Sequence, residues 1–240
     1  LKRGPIFPKK NSGRCTTLKK LNDKGVKMNY TEPLFNSKHK TFTFDDVQII
    51  PKYSDVSSRK VCSTVTSFTK KRYIDIPLIA SPMKSICEFE MAYTMWSLGG
   101  VGIVHRFNSI DEQADIVNSL YRRITSQISE FDDRVEHRFT NPVIAAAIGA
   151  KQKDIFRAKA LLQAGANVLL IDVAHGHHSS MKQILADLNA LRRSLATDLD
   201  TSFEVIAGNI ATPEAAKDLE KWGADALRVG IGGGSVCETR

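Results

Sequence analysis

From about residue 41 onward, short apolar runs alternate with longer stretches in which apolar residues recur every three or four positions. The runs cover residues 76–80, 101–104, 142–148, 168–171, 203–207 and 226–229. They are nearly continuous in hydrophobicity, the pattern of strands covered on both faces. The intervening segments 88–98, 110–128, 153–164, 179–195 and 213–222 carry helical spacing. Ser109 followed by Glu112 reads as a capping box, and Thr212 followed by Pro213 as an N-cap with proline in the first turn. Gly165 and Gly223 are placed to end helices.

Buried strands alternating with amphipathic helices predict an α/β fold with a parallel sheet and right-handed crossovers. Two closures fit this pattern, an open doubly wound sheet and an eight-stranded (β/α)8 TIM barrel. Polar or glycine-rich residues fall at several strand carboxyl ends, namely Ser81, His105, Asp172, Asn209 and the loop beginning at Gly230. Chemistry spread over many strand ends favours the barrel, because a doubly wound sheet gathers its ligand contacts at one switch point. Six strands and five helices are legible, so the expectation is a barrel with only about six βα units in this chain. Two units would be lacking, and open sheet edges of that kind favour aggregation.

Composition changes this picture little. The 42% hydrophobic content suits a large core, and no apolar run approaches the length of a membrane span. No apolar signal segment follows the basic N-terminus. Cys15, Cys62, Cys87 and Cys237 lack metal-site spacing and fit a reducing, cytoplasmic setting. The net charge of +8 is local: residues 1–40 hold eleven Lys/Arg against Asp23 and Glu32, and the rest is nearly neutral. Residues 1–40 are therefore read as a basic, disordered leader and 41–240 as the catalytic barrel. Nucleic acid is not the expected partner, since no aromatic residue interleaves the basic ones between Phe7 and Tyr30.

Candidate chemistry sits at the strand ends. The terminal loop from Gly230 to Arg240 combines a glycine cluster with Cys237. Successive N–H groups in such a loop can form an anion-binding concavity, and a thiol beside it is a candidate nucleophile. Ser81 could donate to a phosphate or sugar, and Met83 could pack on a flat ring. Asp172 suits a ribose hydroxyl or a base; Asn209 both donates and accepts, or is simply a turn asparagine. His175, His177 and His178 lack acidic or Cys partners at usual metal spacing, so a metal is disfavoured there.

The ordered series resembles the IMP dehydrogenase/GMP reductase family over residues 41–240. The matching segments are 43–51, Ser81-Pro-Met83, 99–105, 146–149, 172–177, 207–209 and the terminal cysteine loop. The resemblance implies a tetrameric (β/α)8 barrel acting on a purine nucleoside monophosphate, with Cys237 as the nucleophile at purine C2 and Thr239 assisting catalysis. It further implies nucleotide contacts from Ser81, Met83, Asn209, Arg228, Gly234 and Ser235. Cofactor contacts would come from Asp172, Ala174, Gly230 and Gly232. Carbonyls of Gly230, Gly232 and Cys237 would be candidates around a monovalent cation, possible K+. The dehydrogenase converts IMP, NAD and water to XMP and NADH in GMP biosynthesis; the reductase uses NADPH to turn GMP into IMP and ammonia.

Segments 99–100 and 145–149 favour the dehydrogenase, whereas 57–59, Arg106-Phe107 and 206–209 lean toward the reductase. The dehydrogenase is preferred, with the reductase as the alternative and a non-catalytic nucleotide-binding fragment as a reading of another class. Three departures stand out. Glu238 follows the cysteine, where a carboxylate should raise the thiol pKa; Lys84 replaces a usual acidic residue; and only 36 residues separate His105 from Pro142, leaving no room for paired regulatory modules. If this were the entire polypeptide, no turnover would be expected.

Overall fold

The computed structural model describes residues 7–8, 47–129, 140–195 and 203–231. These divide between two compact units, one holding residues up to Val61 and the other Cys62–Gly232. In the first, β1 (Phe7–Pro8) pairs antiparallel with β2 (Val47–Gln48), and Arg59–Val61 forms a 3-10 turn. The rest of the leader lies outside the described residues.

The second unit opens with a small antiparallel hairpin, β3 (Thr66–Ser67) and β4 (Tyr73–Ile74). A six-stranded sheet follows: β5 (Ile79–Ala80), β6 (Val101–Val104), β7 (Ala145–Ile148), β8 (Val168–Asp172), β9 (Glu204–Ile210) and β10 (Ala226–Val229). Its spatial order is the chain order, and every pairing is parallel. Crossovers contain α1 (Phe89–Ser97), α2 (Ile110–Ser129), α3 (Asp154–Gln163), α4 (Ser179–Leu195) and α5 (Pro213–Lys221). This is a partial (β/α) barrel of about six units. Sequential order without a reversal removes the doubly wound alternative, whose strand order must switch direction.

The strands sort their side chains by parity, as a pleated backbone requires. One face carries Val101, Ile103, Ala145, Ala147, Val168, Leu170 and Ile206, packed with Phe68 and Ile74 of the hairpin. The other carries Val104, Ala146, Ile148, Leu169, Ile171 and Val205 and receives the helices. Met181, Ile184, Leu185 and Leu188 of α4 show the one-face spacing that makes this packing possible. Each such side chain taken from water contributes about 1.5–3 kcal/mol. On α1, Ala92 and Trp96 face inward, and Gly102 lets the helix close on β6: a Cβ there would lie 2.4 Å from the Ala92 Cα.

Helix boundaries follow their caps. The Ser109 backbone N–H donates to Glu112 Oε2 at 2.9 Å, and Glu112 N–H donates to Ser109 Oγ at 3.2 Å, a reciprocal box. Thr212 Oγ1 accepts from Ala215 N–H at 3.2 Å, with proline in the first turn. Gly165 and Gly223 have φ of +104° and +99°, the left-handed conformation that closes α3 and α5.

Two expectations change in detail. The first apolar run forms a strand only at Ile79–Ala80, since Ile76 and Asp75 donate their N–H groups to the Gly99 carbonyl instead. The β3–β4 hairpin was not expected. It is tied to β9 by buried Glu204, which accepts from Thr69 Oγ1 at 2.6 Å and Lys71 N–H at 3.0 Å and pairs with Arg72 Nε at 3.6 Å. No helix among the described residues is long and apolar enough to cross a membrane.

Candidate active site at the strand tips

The carboxyl ends of β5, β8 and β10 meet through one guanidinium. Asp172, Gly208 and Arg228 stand abreast on β8, β9 and β10, because Asp172 is in register with Gly208 and Gly208 with Arg228. The middle position has no side chain. A Cβ on Gly208 would lie 2.6 Å from Arg228 Cβ and 2.8 Å from its carbonyl oxygen. That vacancy lets Arg228 cross β9 and donate from Nη1 to Asp172 Oδ1 at 2.7 Å. Its Nη2 lies 3.4 Å from Ser81 Oγ, just past the end of β5 at the opposite margin of the sheet. Three residues far apart in sequence thus share one charged contact, held at half-burial.

Asn209 was expected at the carboxyl end of its strand, and it is the next-to-last residue of β9. Its N–H donates to the Val173 carbonyl at 2.8 Å, and its own carbonyl accepts from Gly176 N–H at 2.8 Å. The backbone is therefore satisfied, yet Oδ1 is buried and has no partner among the described residues. A buried acceptor left unpaired costs about 1–3 kcal/mol, so its environment favours an incoming donor. Asp172 Oδ2 likewise receives no hydrogen bond among the described residues.

The remaining predicted positions are less concentrated. Met83 is half-buried in the turn after β5, where its carbonyl accepts from Ile86 and Cys87 N–H groups. Ala174 is exposed in the loop after β8. Gly230 is exposed, has φ +133°, and donates its N–H to the Ile210 carbonyl at 2.8 Å; nothing lies within 4 Å of where its Cβ would be. Gly232, Gly234, Ser235, Cys237 and Thr239, including the expected nucleophile and most of the carbonyls expected around a cation, lie outside the described residues.

The histidine run does not converge. His177 Nε2 lies 2.9 Å from Asp218 on α5, while His178 Nδ1 accepts from Ser180 N–H at 3.1 Å at the start of α4. Their partners lie on different helices, the ordinary structural use of such residues.

Sequence reasoning missed the scaffold behind the rim. His105 is fully buried; its Nδ1 accepts from Phe107 N–H at 3.1 Å, so Nε2 carries the proton and donates to Glu88 Oε1 at 2.8 Å. Hydrogen bonds from His105 and Asn108 hold the Glu88 carboxyl below its ordinary pKa. Fully buried Gln113 donates from Nε2 to the Val104 and Ala147 carbonyls, near the carboxyl ends of β6 and β7, and accepts from Arg157. Arg106 Nε donates to the Asp172 carbonyl at 3.2 Å, crossing the tip of β7. Each polar residue just after a strand, or one turn into the next helix, was a detectable signal. Their partners were not, being brought close only by the fold.

Comparison with known proteins gives this arrangement a context. The pattern of the IMP dehydrogenase / GMP reductase domain matches residues 41–240. Over 227 residues the chain is 34% identical to inosine-5'-monophosphate dehydrogenase of Cryptosporidium parvum, covering 84% of this chain and 54% of that protein. It is 28% identical to GMP reductase of Leishmania major, covering 82% and 63% respectively. The chain therefore spans little more than half the length of these relatives. A crystal structure of GMP reductase from Trypanosoma brucei in complex with guanosine 5'-triphosphate superposes with a TM-score of 0.70 at 25% identity, covering 84% of this chain and 74% of that one.

Proposed function

Because the chain belongs to the IMP dehydrogenase/GMP reductase family, we propose that it is a purine-nucleotide oxidoreductase acting through Cys237, of the IMP dehydrogenase type. The observation that supports this most is the Arg228 contact with Asp172 and Ser81, made possible by the bare Gly208 position. It brings Ser81 and Arg228, read here as nucleotide contacts, together with Asp172 of the cofactor side at the carboxyl end of a parallel barrel sheet, where such folds carry their chemistry.

In this reading Ser81, Met83, Asn209 and Arg228 hold the purine nucleoside monophosphate, and Gly234 and Ser235 take its phosphate. The Cys237 thiolate adds to purine C2, forming an S–C bond; once C2 has lost hydride, water cleaves that bond to give XMP and returns the thiol, with Thr239 assisting. Asp172, Ala174, Gly230 and Gly232 face the dinucleotide. When bound, the nicotinamide ring serves as hydride acceptor in the dehydrogenase and as donor, in its reduced phosphorylated form, in the reductase. The described residues suit such ligands. Asn209 Oδ1 is a buried acceptor and Asp172 Oδ2 a carboxylate oxygen, each without a hydrogen bond among the described residues and each matched to ribose hydroxyl or amide donors. Of the carbonyls read as a K+ site only that of Gly230 is described, and no step depends on it. A homotetramer in the cytoplasm completes the proposal.

GMP reductase is the second reading. The similarity to the Leishmania and Trypanosoma reductases and the Arg106-Phe107 pair favour it. A spectrophotometric assay of the full polypeptide separates the two: NADH appearing with IMP supports the dehydrogenase, NADPH disappearing with GMP the reductase. Loss of both by Cys237→Ala is expected. Turnover that survives C237A would overturn the assignment of the nucleophile, and nucleotide binding without turnover in either direction would favour the non-catalytic reading.

A further inference from the structure

The seam between β6 and β7 is short. Two pairs are in register, Ile103 with Ala145 and Val104 with Ala146, against four between β7 and β8 and five between β8 and β9. At the end of that seam a side chain takes over from the ladder. Gln113, fully buried one turn into α2, donates from Nε2 to the Val104 carbonyl at 3.3 Å and to the Ala147 carbonyl at 2.9 Å. Its Oε1 accepts from Arg157 Nη1 on α3. The amide can be turned only this way, because a carbonyl never donates and a guanidinium never accepts.

The same guanidinium holds the loop between β6 and α2. Arg157 Nη1 also donates to the Ser109 carbonyl at 3.3 Å, and Nη2 to the Asn108 carbonyl at 3.1 Å. All three acceptors are neutral. Burial lowers the Arg157 pKa against the opposing pull of Asp154, with a smaller lowering from Arg106. A cation drawn out of water in this way depends on its hydrogen bonds, so the loop and the guanidinium fix each other.

The loop so held reaches the site through its backbone contacts. Asp172 is in register with Gly208 on the β9 side, but the β7–β8 ladder ends one residue earlier, at Ile148 and Ile171. There the Asp172 carbonyl accepts from Arg106 Nε at 3.2 Å. On its β7 side, Asp172 is therefore placed by the 105–109 loop, which Arg157 and Gln113 brace from behind.

We propose that Gln113 and Arg157 are positioning residues: they hold the β6–β7 rim and the 105–109 loop in the arrangement that presents Asp172 to the dinucleotide. This rests on the function proposed above, in which Asp172 faces the dinucleotide while Ser81, Met83, Asn209 and Arg228 hold the nucleotide. The consequence is selective. Loosening the clamp weakens the dinucleotide side and spares the nucleotide side, whose residues stand at β5, β9 and β10.

The test is steady-state kinetics of the full polypeptide, varying each substrate in turn, for the wild type, Gln113→Met and Arg157→Lys, with melting temperatures measured alongside. Q113M keeps the length of the side chain and removes its hydrogen bonds to both strands and to Arg157; R157K keeps the charge and loses the fork. Q113M should raise KM for the dinucleotide about tenfold, the scale of a lost buried hydrogen bond, with kcat and the KM for IMP or GMP within about twofold of wild type. R157K should shift the same constant by less. A merely structural brace would behave differently, lowering the melting temperature and the active fraction and so depressing kcat at unchanged KM. An unchanged dinucleotide KM, or equal rises in both KM values, overturns the proposal and leaves the proposed function standing. A wild type without turnover on either substrate pair overturns both. Should Q113M fail to fold, R157K carries the test, since Arg157 is half-buried and its replacement leaves the Gln113 donations to both strands in place.

Discussion

At the scale of single residues, environment separates groups that look equivalent in the sequence. Cys87 is fully buried in the helix-facing core, and desolvation pushes its thiol up to about 12, with a smaller contribution from neighbouring Glu88. Cys62 is exposed. At pH 8 the thiolate fraction of Cys87 is therefore on the order of 10⁻⁴, and alkylation tracks thiolate and access together. Peptide-mapped labelling with iodoacetamide should modify Cys62 within minutes and leave Cys87 intact until the protein is denatured; equal labelling rates would contradict this burial. Glu88 makes an acid-side prediction. Its folded pKa is depressed by the His105 and Asn108 bonds, so its stabilisation is present above the unfolded value near 4.3 and is lost as pH falls through the lower folded value. The carboxylate is about half exposed, which screens the effect and keeps it modest. Glu88→Gln should lower the melting temperature at pH 6 and shrink the drop between pH 6 and pH 3, measured by circular dichroism.

At the scale of elements, two close approaches carry most of the specification. Gly102 admits α1 onto β6, and Gly102→Ala drives a Cβ against helix backbone rather than a movable side-chain tip. Overpacking of that kind costs about 1–3 kcal/mol, to be read from urea unfolding midpoints. The β3–β4 hairpin depends on Glu204 in a different manner. Burial lowers the Arg72 pKa and Glu204 opposes that shift, so Glu204→Ala would leave a buried guanidinium without its carboxylate and Thr69 without its acceptor. Breaking a buried pair from one side costs about 3–5 kcal/mol, well above the loss from an exposed pair; a midpoint shift no larger than that of a surface substitution would show the pair to be dispensable. These elements also mark what the sequence made legible. Buried parallel strands announce themselves as apolar runs, and the helices by spacing and caps such as Ser109 and Thr212. The hairpin did not, because two-residue strands have no period and Glu204 reads as one polar position in an apolar run. In the site, Ser81 and Asp172 were legible as polar residues at strand tips, and Arg228, inside an apolar run, only through the family resemblance. The Arg106, Gln113 and Arg157 contacts were not, since each side chain works on a backbone carbonyl or amide of another element.

At the scale of the whole sheet, protection falls from the centre toward the margins. The described residues of β7 and most of β8 are fully buried, with Ala145 to Ile148 and Val168 to Ile171 all at 0% exposure. On β5, Ile79 is 50% exposed and the preceding Leu78 59%; on β10, Val229 is 69% exposed. Those two strands each pair on one side only within the described sheet, and they are also the strands that deliver Ser81 and Arg228 to the site. Half of the Arg228 contact is therefore built on the least protected backbone in the barrel. Local opening of a margin needs little burial to be undone, whereas exchange at the centre requires the global transition. Hydrogen–deuterium exchange of the 240-residue chain should show β7 and β8 slowest, with β5 and β10 exchanging faster by at least tenfold. A nucleoside monophosphate bound by Ser81 and Arg228 would couple the two margins, so IMP or GMP should slow exchange at β5 and β10 together and leave β7 unchanged. Slowing at one margin alone would mean that the ligand does not engage the guanidinium and the hydroxyl as a pair, and uniform slowing would mean that it stabilises the sheet without a site at its tips.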